Sequence, residues 1–178
     1  MNILLHACCG PCAAYPVQKL REMGHETSGF FYNPNIHPYK EYEKRLQTFQ
    51  DYAEKVGLTT IIKDDYDLER FLRMTVYREN IRCRFCYRLR LNETVKLAKE
   101  KNFQAFSSTL LVSPYQKHDL IKEIGEELAE EYQIPFFYYD FRSGYREGIE
   151  ISKEMGLYRQ PFCGCIYSER DRYRKERK

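Results

Sequence analysis

The chain has 178 residues, a formal net charge of +3 at pH 7 and seven cysteines. This length predicts a single domain that spans residues 1–178. The small net charge argues against a protein that is basic over its whole surface. The cysteines are odd in number and clustered in the sequence, unlike those of a small disulfide scaffold. They favour metal or redox chemistry in a reducing compartment. Without a recognisable signal peptide or a bilayer-spanning apolar run, we expect a cytoplasmic protein with no membrane partner.

Hydrophobic periodicity predicts strands and helices that alternate along the chain. The predicted strands are 1–5, 27–32, 58–62, 103–107 and 134–138. The predicted helices are 11–23, 39–56, 64–74, 87–101, 117–132 and 143–155, before a tail over about 156–178. This order is typical of a doubly wound α/β fold, Rossmann-like and of the PP-loop or HUP type. We predict a five-stranded parallel sheet in the order 3-2-1-4-5, with helices on both faces.

The first motif, His6-Ala7-Cys8-Cys9-Gly10-Pro11-Cys12, follows the first predicted strand. In a sheet of this order, ligands bind beyond the carboxyl ends of the strands, where the order reverses between strands 1 and 4. Adjacent thiols at this place can ligate a metal, and a helix N-terminus favours the thiolate. The alternative is that the cysteines pack as small apolar residues, but three of them between a strand and a proline turn argue against it.

Two further cysteine pairs lie far along the chain. Cys83-x-x-Cys86 precedes a helix and by itself fits a zinc half-site, a redox pair or half of a cluster site. Together with Cys8 and Cys9 it makes four thiol ligands, and that number suits either tetrahedral zinc or a [4Fe–4S] cluster. For Cys163-Gly164-Cys165 we favour a strained, redox-active pair over a metal ligand.

Polar and basic residues near the predicted strand ends are candidates for binding a substrate. These candidates are Asn33, Asn35, His37, Ser108, Tyr115, Arg82 and Arg84. Further arginines and a basic C-terminal end could neutralise RNA phosphates, which would make the affinity depend on salt. They are Arg88, Arg90, Arg170, Arg172, Arg174, Lys175, Arg177 and Lys178. The alternatives are a rigid turn at 33–38 and a solvated charged surface at the tail.

Five motifs in this order resemble the QueH-type epoxyqueuosine reductases over almost the whole chain. They are His6-x-Cys8-Cys9-Gly10-Pro11-Cys12, Phe31-Tyr32-Asn33-Pro34-Asn35-Ile36, Cys83-x-x-Cys86-Tyr87-x-Leu89-Arg90-Leu91, Ser107-Ser108-Thr109-Leu110-Leu111-x-Ser113-Pro114 and Gln160-x-Phe162-Cys163-Gly164-Cys165-x-Tyr167-Ser168. The resemblance implies an enzyme that reduces epoxyqueuosine to queuosine at the wobble position of the tRNAs for Asp, Asn, His and Tyr. It also implies an unidentified electron donor and no need for cobalamin.

The resemblance further implies roles for the cysteines. A [4Fe–4S] cluster is carried over to Cys8, Cys9, Cys83 and Cys86, and a redox-active disulfide to Cys163 and Cys165. Cys12 is then left for a second, mononuclear iron beside the cluster. The candidate proton donors for the leaving epoxide oxygen are His37, Tyr115 and Asp140.

Two other functions compete with this interpretation. An ATP-dependent tRNA thiolation enzyme could share the sheet and the Cys-x-x-Cys pair. It needs a Ser-Gly-Gly-type phosphate loop after strand 1, whereas residues 8–12 lack the glycines that would cradle pyrophosphate. The second rival is a non-enzymatic, zinc-binding RNA module, which would be colourless where an iron–sulfur protein is brown.

Overall fold

Four strands and seven α-helices form residues 1–174, the part of the chain that this computed structural model describes. The strands are β1 (Asn2–His6), β2 (Glu26–Phe31), β3 (Thr59–Ile62) and β4 (Ala105–Ser108). The helices are α1 (Gly10–Glu22), α2 (Tyr39–Val56), α3 (Leu68–Thr75), α4 (Arg82–Glu100), α5 (His118–Tyr132), α6 (Tyr145–Glu154) and α7 (Ile166–Tyr173). Short 3₁₀ helices span Glu79–Ile81, Thr109–Val112 and Phe141–Gly144. None of the helices in these residues is long and apolar enough to cross a membrane.

The sheet is parallel, with the strand order β3-β2-β1-β4. In the centre, Leu4 of β1 pairs with Ser28 of β2 and Phe106 of β4. Ile3, Leu4 and Leu5 are fully buried, because a central parallel strand is covered on both faces. Helix α1 packs against α2 and α6, whereas α4 packs against α3 and α5. The predicted α/β architecture with a parallel sheet is confirmed.

The predicted fifth strand at 134–138 is wrong. This segment makes one isolated parallel bridge, between Phe106 and Phe136, and it joins no strand. Pro135 has no amide hydrogen to donate. The carbonyl of Phe137 accepts a hydrogen bond from the Ser107 hydroxyl at 2.8 Å. The backbone therefore runs beside β4 without forming a ladder, and the sheet has four strands.

Three helix boundaries shape the carboxyl edge of the sheet. Helix α1 begins at Gly10, where a Cβ atom would lie 2.7 Å from the Thr48 carbonyl oxygen, so only glycine lets α1 approach α2 this closely. Helix α4 begins at Arg82, five residues before its predicted start at Tyr87, and its first two turns carry both Cys83 and Cys86. Helix α7 was not predicted, because its sequence is polar and has no periodic apolar stripe.

Candidate metal and redox site

The first three cysteines meet at the carboxyl end of β1. Cys8 and Cys9 follow the strand after one intervening residue, Ala7, and Cys12 lies in the first turn of α1. Their sulfur atoms all lie within 4.8 Å of one another, with 3.8 Å between the sulfurs of Cys8 and Cys9. Cys8 and Cys9 are buried and Cys12 is half-buried. This spacing lets the three thiols hold a metal.

The three thiols do not ionise alike. Hydrogen bonds from Cys12 and Cys9 hold the pKa of Cys8 well below its usual range, and the Thr109 hydroxyl adds a contact of 3.6 Å to the Cys8 sulfur. Burial raises the pKa of Cys9, and donation to Cys8 raises the pKa of Cys12. The group therefore favours one shared thiolate, which is the charged form that binds a soft metal.

His6 supports this group from inside the sheet. Its Nε2 lies 3.2 Å from the carbonyl oxygen of Tyr32, and its Nδ1 lies 3.0 Å from the Ser108 hydroxyl oxygen. Since a carbonyl can only accept, Nε2 carries the proton and Nδ1 accepts from Ser108. Burial, followed by the charge of Arg90, lowers the pKa of His6 to about 4. His6 is thus a neutral, packed histidine.

The second cysteine pair lies on α4, beside a buried arginine. Cys86 is buried and Cys83 is half-buried. Arg90, one turn after Cys86, donates from Nη2 to the Cys86 sulfur at 3.2 Å and from Nε to its carbonyl at 3.2 Å. Burial would lower the pKa of Arg90, but the nearby sulfurs of Cys86, Cys163 and Cys8 raise it. The guanidinium therefore contacts the Cys86 sulfur, and charges from all three cysteine motifs act on its pKa.

The third pair, Cys163-Gly164-Cys165, is held on this edge of the sheet by Arg45 of α2. Arg45 donates from Nη1 and Nη2 to the carbonyls of Cys163 and Phe162, both at 2.9 Å. Its Nε forms a buried ion pair with Glu41 at 2.7 Å. Both cysteines are free thiols, so the disulfide expected from the sequence is not formed in this structure.

The backbone between these two thiols needs glycine. Gly164 has φ +149°, and a Cβ there would lie 3.2 Å from the Ile36 side chain. Its carbonyl accepts from the His37 amide at 2.8 Å, and its amide donates to the Ser168 hydroxyl at 3.1 Å. These bonds seat the Cys-Gly-Cys loop on the turn that follows β2.

Comparison with known proteins places this chain in a family. The profile of the family described as Epoxyqueuosine reductase QueH matches residues 3–171. A relative of that name from Dehalococcoides mccartyi is 37% identical over 174 residues, which cover 98% of this chain and 96% of the relative. Another, from Thermotoga maritima, is 34% identical over 184 residues, covering 98% of this chain and 93% of the relative.

The chain belongs to the epoxyqueuosine reductase QueH family. Its sequence-based identification as an epoxyqueuosine reductase, and therefore as an oxidoreductase, is confirmed. A solved chain described as a predicted subunit of tRNA methyltransferase from Methanocaldococcus jannaschii has a TM-score of 0.59 at 14% identity. The likeness covers 86% of this chain and 75% of that one, and at this identity it shows the fold alone.

Several candidate substrate residues of this QueH-family chain have structural partners. Asn33 donates from Nδ2 to the Ala7 carbonyl at 2.9 Å, which fixes the turn before Cys8. His37 accepts at Nδ1 from the Ile166 amide at 3.3 Å, and burial lowers its pKa to about 4. These contacts show Asn33 and His37 holding backbone, while Ser108 is engaged by His6 as described above.

The remaining polar candidates differ in exposure. Asn35 is only 1% exposed, and neither polar atom of its amide has a hydrogen-bond partner. Tyr115 is 83% exposed and lies edge-on to Tyr145 at 6.0 Å between ring centroids. Asp140 binds the amide and guanidinium of Arg142, whose hydrogen bonds lower the pKa of Asp140 to about 2. An ionised Asp140 has no proton to donate at neutral pH.

The arginines that the sequence placed around the Cys83-x-x-Cys86 pair differ in their partners and in their burial. Arg82 pairs with Asp171 of α7 at 2.6 Å and lies over the Tyr167 ring. Arg84 and Arg88 form four ion pairs with α5, to Glu123, Glu127 and Glu131. The expectation that Arg90 neutralises phosphate is wrong, because Arg90 is buried. Of the basic end, Lys175, Arg177 and Lys178 lie outside the described residues.

Sequence reasoning missed three side chains that contact this site. Gln116 donates to the Cys163 sulfur and Gln160 to the Cys12 sulfur, both at 3.1 Å. Gln160 begins the fifth motif of the resemblance but had no role assigned to it, and nothing in the local sequence marks Gln116. The sequence does contain a signal for Arg45. It lies three residues after Tyr42 and four before Phe49, so helical spacing places its charge on the buried face of α2.

Proposed function

We propose that this chain reduces epoxyqueuosine to queuosine at the wobble position of tRNA, the final step of queuosine biosynthesis, with electrons from a thiolate-bound iron–sulfur cluster. The observation that carries the proposal is the approach of three distant cysteine motifs to one end of β1. Tyr87 of α4 donates to Gln116, which in turn donates to the Cys163 sulfur, and Arg45 binds the Cys163 carbonyl. A QueH-family fold thus carries clustered soft ligands at the switch point of its sheet.

The ligands we propose for a [4Fe–4S] cluster are Cys8, Cys9, Cys83 and Cys86. Three observations support a fit: the close spacing of the first thiols, the lowered pKa of Cys8 and the buried cation beside Cys86. When bound, such a cluster supplies electrons one at a time. Cys12 would hold the second iron, with Gln160 as a neighbour that orients its sulfur. No role for cobalamin is proposed.

We propose that Cys163 and Cys165 relay two reducing equivalents from the electron donor to the cluster site. Deoxygenation of an epoxide to an alkene takes two electrons and two protons and releases water. Two thiols that join into a disulfide release two electrons and two protons, so the two half-reactions balance, and the unidentified electron donor would reduce the disulfide again. Gln116 and Arg45 hold the Cys163 end of this pair.

The tRNA would approach where α4 begins and α7 packs beside it. Arg78 lies over the Phe85 ring, and Arg82 and Arg170 both lie over the Tyr167 ring. Arg82 and Arg170 share a single carboxylate, that of Asp171. Such a basic, aromatic surface suits the phosphates and unstacked bases of an anticodon loop, and we propose the tRNAs for Asp, Asn, His and Tyr as substrates.

Mass spectrometry of treated tRNA tests the function. Protein reconstituted anaerobically with iron and sulfide is incubated with epoxyqueuosine-containing tRNA and a chemical reductant, without ATP, and the tRNA is then digested. We expect the modified nucleoside to lose one oxygen. A colourless protein that carries one zinc and leaves the nucleoside unchanged would support the zinc-binding module instead. A requirement for ATP would favour the thiolation enzyme.

The dithiol role has its own test. A Cys163→Ser/Cys165→Ser variant should keep its iron and sulfide but lose turnover when a thiol reductant is the only electron source. Full turnover by this variant would remove the relay from the mechanism, while the cluster assignment would stand.

A further inference from the structure

Arg90 is a buried cation without a carboxylate partner. It is 1% exposed, and its two hydrogen bonds both go to Cys86. Among residues 1–174, the only part described, no aspartate or glutamate forms an ion pair with it. Its guanidinium also lies 5.7 Å from the centroid of the Tyr87 ring. The hydrogen-bond acceptors of Arg90 are therefore one sulfur and one carbonyl.

Arg45 is a second buried cation of this protein, and its charge is paired with a carboxylate. It is also 1% exposed, but it has the Glu41 carboxylate at 2.7 Å and two carbonyls of the Cys-Gly-Cys loop. Burying a charge is costly unless an opposite charge or strong hydrogen bonds compensate for it. A structure that keeps Arg90 buried must therefore provide the negative charge by another group, and the side-chain group that Arg90 contacts is the Cys86 sulfur.

Other titratable groups around Arg90 do not supply this balance. His6 is neutral by its hydrogen-bond pattern, as argued above. Tyr87 donates its hydroxyl proton to Gln116 at 2.7 Å, so the phenol is uncharged in this arrangement. The site thus presents one unmatched positive charge to a group of sulfur ligands.

We propose that Arg90 is the counter-charge of the thiolate-bound cluster and that its hydrogen bond to the Cys86 sulfur raises the reduction potential of that cluster. The inference rests on the proposed function. The potential of a thiolate-bound cluster depends on its net charge, on hydrogen bonds to its sulfurs and on its burial. One-electron reduction adds negative charge to an already anionic group, so a fixed cation nearby stabilises the reduced form. Arg90 is a positioning residue and exchanges no electron or proton.

The test compares variants by redox titration. Arg90→Gln removes the charge, Arg90→Lys keeps it on a different side chain, and Arg88→Gln removes a charge from the outer face of the same helix. Each protein is reconstituted anaerobically, its iron and sulfide are counted, and the midpoint potential is read from visible absorbance and electron paramagnetic resonance. A charge-assisted hydrogen bond corresponds to about a tenfold change in the reduction equilibrium, which is 59 mV for one electron.

We expect the midpoint potential of Arg90→Gln to be about 59 mV more negative than that of the wild type. Arg90→Lys should restore the potential at least in part, and Arg88→Gln should leave it unchanged. If Arg90→Gln loses its iron while Arg90→Lys retains it, the charge is needed to hold the cluster, which also supports the counter-charge role. An unchanged midpoint in Arg90→Gln overturns the inference and leaves the proposed function intact. Loss of iron from both Arg90 variants would show that Arg90 acts by packing, and this result also overturns the inference. Wild-type protein that takes up no iron and sulfide overturns the cluster and the inference together.

Discussion

Helix α4 carries arginines on two faces, and the two faces match their charge in opposite ways. On the outer face, Arg84 and Arg88 meet three glutamates of α5. On the inner face, Arg90 is buried against the Cys86 sulfur without a carboxylate. The same residue type, two positions apart along the helix, serves packing between helices on one side and a sulfur site on the other.

This difference shows that the number of arginines near a motif does not define an RNA surface. The outer face of α4 sets two arginines against three glutamates of α5, and α5 adds one further cation, Lys122, and three further anions, Asp119, Glu126 and Glu130. That face repels phosphate. The basic surface next to the site comes instead from Arg78, Arg82 and Arg170, which lie over aromatic rings. The comparison can be tested by changing each face separately.

The largest effect is expected from Cys86→Ser on the inner face. A serine hydroxyl is a poor ligand for iron, so we expect the protein to lose its iron and sulfide and deoxygenation to fall by more than about 100-fold. Metal analysis and mass spectrometry of the tRNA product measure both. Cys163→Ser is the matched control, since it should keep its iron. Full metal content and full activity in Cys86→Ser would contradict the ligand assignment.

Arg45→Met should produce the next largest effect, on stability. It leaves the Glu41 carboxylate buried without its cation, which costs about 3–5 kcal/mol in the free energy of unfolding. Anaerobic urea denaturation measures this loss. Adding Glu41→Gln to the variant should recover part of it, because the unpaired charge is gone. If the double variant is no more stable than Arg45→Met, the ion pair is not the cause.

Two double variants, each lacking two arginines, separate the contributions of the two surfaces to tRNA binding. We expect Arg78→Ala/Arg170→Ala to weaken binding and to reduce the slope of log affinity against log salt by roughly 0.7–0.9 for each phosphate that is no longer neutralised. The outer-face variant Arg84→Ala/Arg88→Ala removes the same charge and should leave the slope unchanged. Fluorescence anisotropy over a salt series reads the slopes. Equal effects of the two variants would mean that binding responds only to net charge.

The smallest effect is expected for stability in Arg84→Ala/Arg88→Ala. Exposed ion pairs contribute little, so the free energy of unfolding should fall by about 1 kcal/mol or less. In about 1 M salt the difference from wild type should shrink, because the pairs are screened. A loss of several kcal/mol that salt does not alter would show that these side chains hold α5 by packing.

Much of the site followed from local sequence. A buried apolar strand before Cys8-Cys9 and polar residues after β2 place these motifs at the carboxyl edge of a parallel sheet. The cysteine motifs also indicated the family that the comparisons confirm. These features depend on strand order and spacing, which leave a direct trace in a sequence.

Contacts between distant residues were decided by the tertiary structure alone. Sequence could not show that Arg90 is buried and Arg88 exposed, because that depends on which side of α4 meets the sheet. Nor could it show that the Ser107 hydroxyl donates to the carbonyl of Phe137, in the segment that we expected to form a fifth strand. Residue type and spacing determine which chemistry is available along the chain. Packing determines which charges lose their water, and therefore which of them the sulfur site must balance.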